Sequence, residues 1–319
     1  MPKRRFSPIA LEDLHTYSLK DRPSKVGTAD FAASWQAGGR FREFIESLPR
    51  VLAAEDLRLV AAAVAAACRG GRTVLAGMGA HVIKVGLNPV VVDLMTRGIL
   101  SGIALNGAGI IHDYELALVG RTSEDVAAGL GAGAFGMARE TCEFLGEAIR
   151  RAEREDIGLG EAVGRQILDA RLPFAGDSIL AAGVRLEIPV TVHVAIGTDI
   201  IHMHPQFDPR AAGAASHRDF RTFAAMVASL QGGVYLNIGS AVILPEVFLK
   251  ALSLVRNRGF QVSDLTTVNL DFIRQYRPLT NVVNRSTLGG GRGINLVGHH
   301  EIMLPLIAAA IIEQLAGTD

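Results

Sequence analysis

Short apolar runs rich in β-branched residues alternate along this chain with longer stretches whose apolar positions recur at three- and four-residue spacing. The first run, Thr73–Ala76, reads as a buried strand and ends in Gly77-Met78-Gly79. Val82–Arg97 then places Val82, Val85, Val92 and Met95 at helical spacing, with Gly98 as a stop. Ser101–Leu105 is a second strand-like run, ending in Asn106-Gly107-Ala108-Gly109. Strand, glycine turn, helix and strand make one βαβ unit. Ile188–Ile196, Gly233–Ile238 and Phe260–Asn269 read as further strands, the first two closing on Gly197-Thr198-Asp199 and Gly239-Ser240. Helices are expected at Phe41–Leu48 and Glu55–Cys68, and from a Ser123 N-cap to about Glu153, loosened by Gly129, Gly131 and Gly133. Others follow at Gly160–Ala170, Ser178–Leu186, His217–Leu230 behind a Ser216 cap, Pro245–Arg258 and Glu301–Leu315. Leu288–Gly298 is glycine-rich and receives no element.

This alternation predicts an α/β, Rossmann-like, doubly wound and mainly parallel sheet with helices on both faces and a ligand crevice at the carboxyl ends of the strands. Residues 1–40 are polar and irregular, an N-terminal arm suited to wrapping the body or a neighbouring subunit. Residues 41–319 read as a single α/β domain without internal repeat or low-complexity linker.

Composition narrows the function classes. Apolar residues make up 49% of 319, enough for a large core. Thirty-two Lys and Arg balance 32 Asp and Glu, so there is no electrostatic footprint for nucleic acid or an anionic membrane. Lys3-Arg4-Arg5 reads as a solvated tail. Cys68 and Cys142 sit in apolar helical contexts, which fits a reducing, cytoplasmic setting. The start lacks an apolar export segment, and no 18-residue apolar run is present. Lysine is scarce: Lys3, Lys20, Lys25, Lys84 and Lys250.

The candidate chemistry clusters at the strand ends. Turns without β-carbons expose backbone N–H groups to a ligand, and a following helix N-terminus favours negative charge, so phosphate or dinucleotide binding is one reading and plain tight turns the other. His112-Asp113 pairs an imidazole with a carboxylate, as a general base needs, or is a loop pair. Glu246 in a first helical turn suits a cationic amine or simple dipole pairing. His202 and His204 would share one side of an extended segment, near Asp199, giving either a His/His/Asp metal site or a ligand pocket. His299-His300-Glu301 opens the last helix, facing cofactor or substrate, or merely capping it. Lys84 has three readings: phosphate contact, imine former and solvated helix lysine. Gly289–Gly293 with Arg292 reads as a pyrophosphate wrap or as a surface loop. Asp199, Asp113 and Glu115 are acids for a polyamine.

The order of these segments, from about residue 40 onward, resembles the deoxyhypusine synthase family. Gly79-Ala80-His81 stands where the family has Thr-Ser-Asn, and Asn106-Gly107-Ala108-Gly109 with His112-Asp113 where it has Thr-Ala-Gly-Gly and acids. Ile188-Pro189-Val190 resembles its Ile-Pro-Val strand, and Asp199-Ile200-Ile201 with His204 and Pro209 its Gly-Asp-Met-Ile-Phe-Phe-His segment. Gly239-Ser240 lies at its glycine triplet, Thr266-Thr267-Val268-Asn269 at its Asn-Thr-Ala-Gln, and His299-His300-Glu301 with Leu304-Pro305-Leu306 at its Asp-Ala-Ser and Phe-Pro-Leu. The resemblance implies a homotetramer binding NAD near a subunit interface, and dehydrogenation of spermidine with aminobutyl transfer through a lysine imine. On it, NAD contacts fall at Gly79, Ala80, His81, Asn106, Gly107, Ala108, Gly109, Gly239, Ser240, Thr266, Thr267, His299 and His300. Catalysis falls to His112, Asp113, Glu246 and His204, and substrate binding to Asp199, His202 and Glu301.

Two departures matter. No lysine follows Lys250, so the family's imine former is missing around Asn284-Arg285-Ser286-Thr287, and arginine cannot replace it. The family's His-His pair falls at Leu244-Pro245-Glu246. The expectation is therefore an NAD-dependent enzyme acting on a polyamine or other small amine without the usual lysine imine. The alternatives are a catalytically silent nucleotide-binding relative and a metal-dependent hydrolase using His202, His204 and Asp199.

Overall fold

Six strands form one all-parallel sheet in the order β3-β2-β1-β4-β5-β6, as seen in a computed structural model that describes residues 6–317. They are β1 (Val74–Met78), β2 (Gly102–Asn106), β3 (Val190–His193), β4 (Val234–Ile238), β5 (Thr266–Asp271) and β6 (Arg292–Val297). The helices are α1 (Phe41–Ser47), α2 (Leu52–Arg69), α3 (His81–Lys84), α4 (Asn88–Thr96), α5 (Gly107–Val119), α6 (Val126–Leu130), α7 (Arg139–Glu155), α8 (Leu159–Asp169), α9 (Ile179–Arg185), α10 (Pro209–Ala228), α11 (Ile243–Asn257) and α12 (His300–Ala316). Strands β1, β2 and β4 are apolar runs because both of their faces are covered. One face packs Ala76, Met78, Leu236 and Ile238 against α2, α5 and α12; the other packs Leu75, Tyr235 and Phe248 with α10 and α11. The doubly wound sheet is the one expected.

Several boundaries differ from expectation, each for a local reason. The helix expected at 82–97 breaks into α3 and α4 at Gly86, whose φ of 78° is left-handed. The helix expected from Ser123 divides into α6 and α7 around the glycine cluster. Helix α10 starts at Pro209, where Asp208 accepts the Arg210 and Ala211 N–H groups. Ser216 lies inside that helix, and its hydroxyl accepts from Val194 N and donates to Val192 O, both 3.0 Å. Strand β5 starts at Thr266, later than expected, and β6 emerges from the glycine-rich stretch.

The outer edge of β3 is closed by α10 in the same way. Asp219 accepts Val192 N at 2.8 Å and Gly160 N at 3.0 Å, tying an edge strand to the first turn of α8. Burial pushes its carboxyl up to about 7. Across the other half, Asn237, Asn269 and Asn295 sit in register and link by side-chain bonds of 2.8 and 2.9 Å, locking β4, β5 and β6 together. Residues 6–40 hold only a 3₁₀ turn at Thr28–Asp30 and are moored to the body through Ala33 N–Ser47 O and Arg50 N–Asp30 O. Phe6, Ile9, Leu14, Tyr17 and Leu19 along it are exposed.

Candidate active site

The strand order reverses between β1 and β4, so the chain leaves their tips toward opposite faces of the sheet, the place where this architecture accepts ligands. Both tips are glycine. A Cβ on Gly79 would collide with Gly239 O, and Gly239 itself has φ 64° beneath the His300 ring. His300 is 1% exposed and donates Nε2–H to Leu270 O at 3.3 Å. Its Nδ1 is then a buried acceptor without a partner among the described residues, as is Asn106 Oδ1 at the tip of β2. The His81 ring lies 5.3 Å from that of His300, and His299 stacks on Phe272 at 6.5 Å. Glu301 stands exposed in the first turn of α12, 3.9 Å from His299. Ser240 is committed locally: its hydroxyl accepts Leu244 N and opens α11.

On the same carboxyl edge, beyond β2, a cavity of about 190 Å³ lies between α3, α5, the Ser123–Phe135 segment and the Thr198–Ile200 turn. Lys84, Ala108, His112, Glu115, Glu124 and Asp199 line it. His112 Nδ1 bonds Thr122 Oγ1 at 2.7 Å, and that hydroxyl donates its proton to Glu115. The hydroxyl therefore accepts from His112 Nδ1–H, which leaves Nε2 as the basic atom of the ring. Burial first, and the Lys84 charge second, lower the His112 pKa to about 4, so the imidazole is neutral across physiological pH.

Asp199 is the least compensated acid of the cavity. It is 9% exposed, and its carboxylate sits against the first residue of α5, where any Cβ on Gly107 would collide with it. Its side-chain donor among the described residues is Thr198 Oγ at 3.4 Å, and that hydroxyl's single proton already goes to Ala195 O at 2.7 Å. Burial raises its pKa, with the His202 ring opposing. His202 Nδ1 accepts both Gly197 N and Asp199 N, so the proton is on Nε2, buried and unpartnered. A buried carboxylate left this bare opposes folding and suits an incoming cation. Asp199→Asn is expected to stabilise the free protein by about 1 kcal/mol while weakening any cationic ligand. Urea denaturation of the two proteins checks this, and a variant less stable than the parent contradicts it.

Other expected site residues lie elsewhere. Asp113 is wholly buried, facing away from the crevice, with both oxygens taken by Asn88, Ser178, Ile179 N and Leu180 N. Glu246 is already paired with Lys250, Arg277 and Asn281, which leaves it no free oxygen for an amine. Thr266 and Thr267 open β5 at its amino end, opposite the crevice, where Thr267 donates to Val282 O. The Gly289–Gly293 run and Arg292 also lie at an amino end, that of β6. His202 and His204 do not face one way, because Ile200–Met203 is a 3₁₀ turn and not extended; His204 Nδ1 instead accepts Gln206 N at 3.3 Å. No group of three His, Cys, Asp or Glu able to hold a metal exists among the described residues. Thr122 and Glu124 were not expected. Their only sequence signal was a helix-start pattern, which says nothing about what they fold back onto.

Among the described residues no helix is long and apolar enough to cross a membrane. No protein-family model matches the sequence, and no curated protein matches it. Solved structures do. AgrE in ternary complex with ornithine and NAD+ is 14% identical over 81% of this chain, TM-score 0.54, and this chain spans only 32% of AgrE. A conserved protein assigned to the LOR/SDH type, from Methanococcus maripaludis S2, is 13% identical over 94% of this chain and 76% of its own, TM-score 0.53. A protein assigned as a deoxyhypusine synthase, from Entamoeba histolytica, is 10% identical over 88% of this chain and 96% of its own, TM-score 0.53. What these likenesses establish is the fold, an α/β architecture shared with deoxyhypusine synthase-like and LOR/SDH-type proteins.

Proposed function

We propose that this chain is an NAD-dependent enzyme that dehydrogenates a small amine held in the cavity between α3, α5 and the Thr198–Ile200 turn. The observation that carries the proposal is the bare, buried Asp199 carboxylate sharing that cavity with a neutral His112. A carboxylate without donors selects an ammonium group, and a neutral imidazole within the same walls can take a proton from it. Glu115 adds negative charge but is already fixed by Thr122 and Thr141.

The residues at the β1–β4 switch fit a dinucleotide. Gly79 and Gly239 keep both tips free of side chains, and His300 Nδ1 and Asn106 Oδ1 are buried acceptors that a ligand's N–H or O–H groups would satisfy. Gly79, Ala80, His81, Gly239 and His300 would hold it, with Phe272 and His299 as flanking rings. Bound there, NAD supplies a hydride acceptor. The first turn of α5 is assigned differently from expectation: the Asp199 carboxylate already sits against Gly107, so Gly107–Gly109 meet that carboxylate and not a phosphate. This chain's own residues then have separate tasks. Asp199 holds the ammonium, His112 Nε2 takes the amine proton, and the Glu115–Thr122 pair fixes the His112 tautomer. No lysine follows Lys250, so the imine product is released, not captured at the position the deoxyhypusine synthase family uses. NAD binding by AgrE and the shared fold support the cofactor. Assembly as a homotetramer belongs to the same proposal, the exposed apolar residues of the arm being surface for a neighbouring copy.

Isothermal titration of the full chain with NAD+ and with NADH tests the reading. Saturable binding is expected, and none at millimolar cofactor removes the cofactor assignment.

A further inference from the structure

We propose that Glu124–Gly136 is a hinged flap that opens and closes over the cavity beside α5, with Ser123 as its strained pivot. This rests on the reading of the cavity as an amine site, since the ligand of that site is what the flap admits. Ser123, Glu124, Val126 and Phe135 supply one wall of the cavity, and all four come from this one stretch of chain. The stretch is a body of its own. Gly129 N bonds Asp125 O, Gly133 N bonds Leu130 O, and Ala134 N and Phe135 N both reach Gly129 O. Asp125 caps α6 through Ala128 N, and Glu124 Oε2 accepts Gly136 N at 2.9 Å, which ties the two roots together. Helix α6 buries none of its residues, so little apolar surface holds the flap down. Its seat is small: Gly136 rests against Ile200 and Met203, and Gly136 O lies 4.0 Å from the Cys142 thiol.

Ser123 supplies the spring. Its φ is 73°, a left-handed conformation that is unfavourable for a residue with a β-carbon. Asp156, Arg171 and Glu187 share that sign of φ, but each stands at or just past the end of a helix, where the conformation is ordinary. Ser123 ends no helix, because Gly120 already closes α5. The closed flap therefore holds its own root outside the preferred backbone region, and lifting it lets Ser123 relax. Thr122 stands on the body side of the pivot. The hydroxyl that sets His112 and Glu115 thus stays in place while the flap moves.

Cys142 reports the motion. It is 3% exposed beneath Gly136 O, whereas Cys68, half-buried in α2, lies outside the flap's cover and serves as the internal reference. The test is native-state alkylation of the full chain by iodoacetamide, read by mass spectrometry of the two cysteine peptides. Ser123→Pro fixes φ near about −65° and cannot take the closed turn, so Cys142 should react roughly tenfold faster than in the wild type. Ser123→Gly removes the strain, so Cys142 should react roughly five- to tenfold more slowly. Cys68 should react alike in all three proteins, and circular dichroism checks that they fold. A Cys142 rate that ignores both substitutions, or that moves together with Cys68, overturns the flap. Butylamine, a simple ammonium probe of the cavity, should slow the wild-type Cys142 reaction further. If butylamine changes nothing while both variants behave as stated, the amine reading falls and the flap stands.

Discussion

Asp113→Ala is expected to cost the fold about 3–5 kcal/mol while leaving the chemistry of the surviving folded protein nearly intact. The sequence pairs Asp113 with His112 and invites a catalytic role, but successive helix positions point about 100° apart. His112 therefore reaches the cavity, and Asp113 turns into the core. There its carboxylate receives Ser178 Oγ at 2.6 Å, Asn88 Nδ2 at 2.9 Å, Ile179 N at 3.0 Å and Leu180 N at 3.1 Å. Two of these are orphan N–H groups of the first turn of α9, which Ser178 caps through Ala181 N. Alanine would strand the Ser178 hydroxyl and both N–H groups, each buried beyond the reach of water, at roughly 1 kcal/mol or more apiece, and would leave a void. Asn88 suffers less because it also donates to Asp177 O. Burial raises the Asp113 pKa while the four donors pull it down. Urea denaturation gives the stability, and initial rates at a temperature where the variant is folded give the activity. Unchanged stability with lost activity would return Asp113 to catalysis.

How far the sequence could be read follows from which interactions are local. β1, β2 and β4 are short aliphatic runs ending in glycine, and burial on both faces is what makes such runs, so their class and order were visible. β6 was hidden because its residues answer to distant neighbours. A Cβ on Gly291 would strike Leu265 and one on Gly293 would strike Val283, so glycines that look like a loop signal are there for close packing. β5 was displaced because Phe260–Leu265 looks equally strand-like, and only the ladder from Val234–Ile238 to Thr266–Leu270 sets its register. That shift carried Thr266 and Thr267 to the wrong end of the sheet.

In the candidate site, Asp199 was recoverable as the first acid after a glycine-ended strand. Its lack of donors was not, since that depends on where Thr198 spends its proton and on Gly107 being without a side chain. The pairing of His112 with Thr122 and Glu115 spans a helix and a turn. Helical i,i+3 spacing puts His112 and Glu115 on one face, but Thr122, which ties them, lies past the end of α5, and no spacing rule predicts that the chain turns back there. Glu246 shows the opposite failure. Its first-turn position was read correctly, but the cations that neutralise it come from Lys250 one turn on and Arg277 after β5.

His112→Ala is expected to lower kcat/KM for amine oxidation by roughly 10²–10⁴-fold, the usual worth of a positioned general base, with little loss of stability. The ring makes one hydrogen bond, to Thr122, and keeps 16% side-chain exposure, so removing it strands little. The pH profile separates a base from a merely structural histidine. A base must be unprotonated to act, and His112 with a pKa of about 4 in the free protein stays so through the neutral range. The acid limb in kcat/KM should then contain His112 at about 4, well below the ordinary histidine value of 6.5, together with the ammonium-binding Asp199, whose pKa burial raises. Lys84→Met removes the second cause of the depression and should shift that limb upward, though only part of the way, because burial is the larger cause. Thr122→Val tests positioning. It frees the ring to rotate and to change tautomer, so kcat should fall with KM nearly unchanged. Steady-state NADH formation from pH 3.5 to pH 8, with the four proteins side by side, measures all of this. An alanine variant retaining half the parent's rate, or an acid limb indifferent to Lys84, would take the proton away from His112.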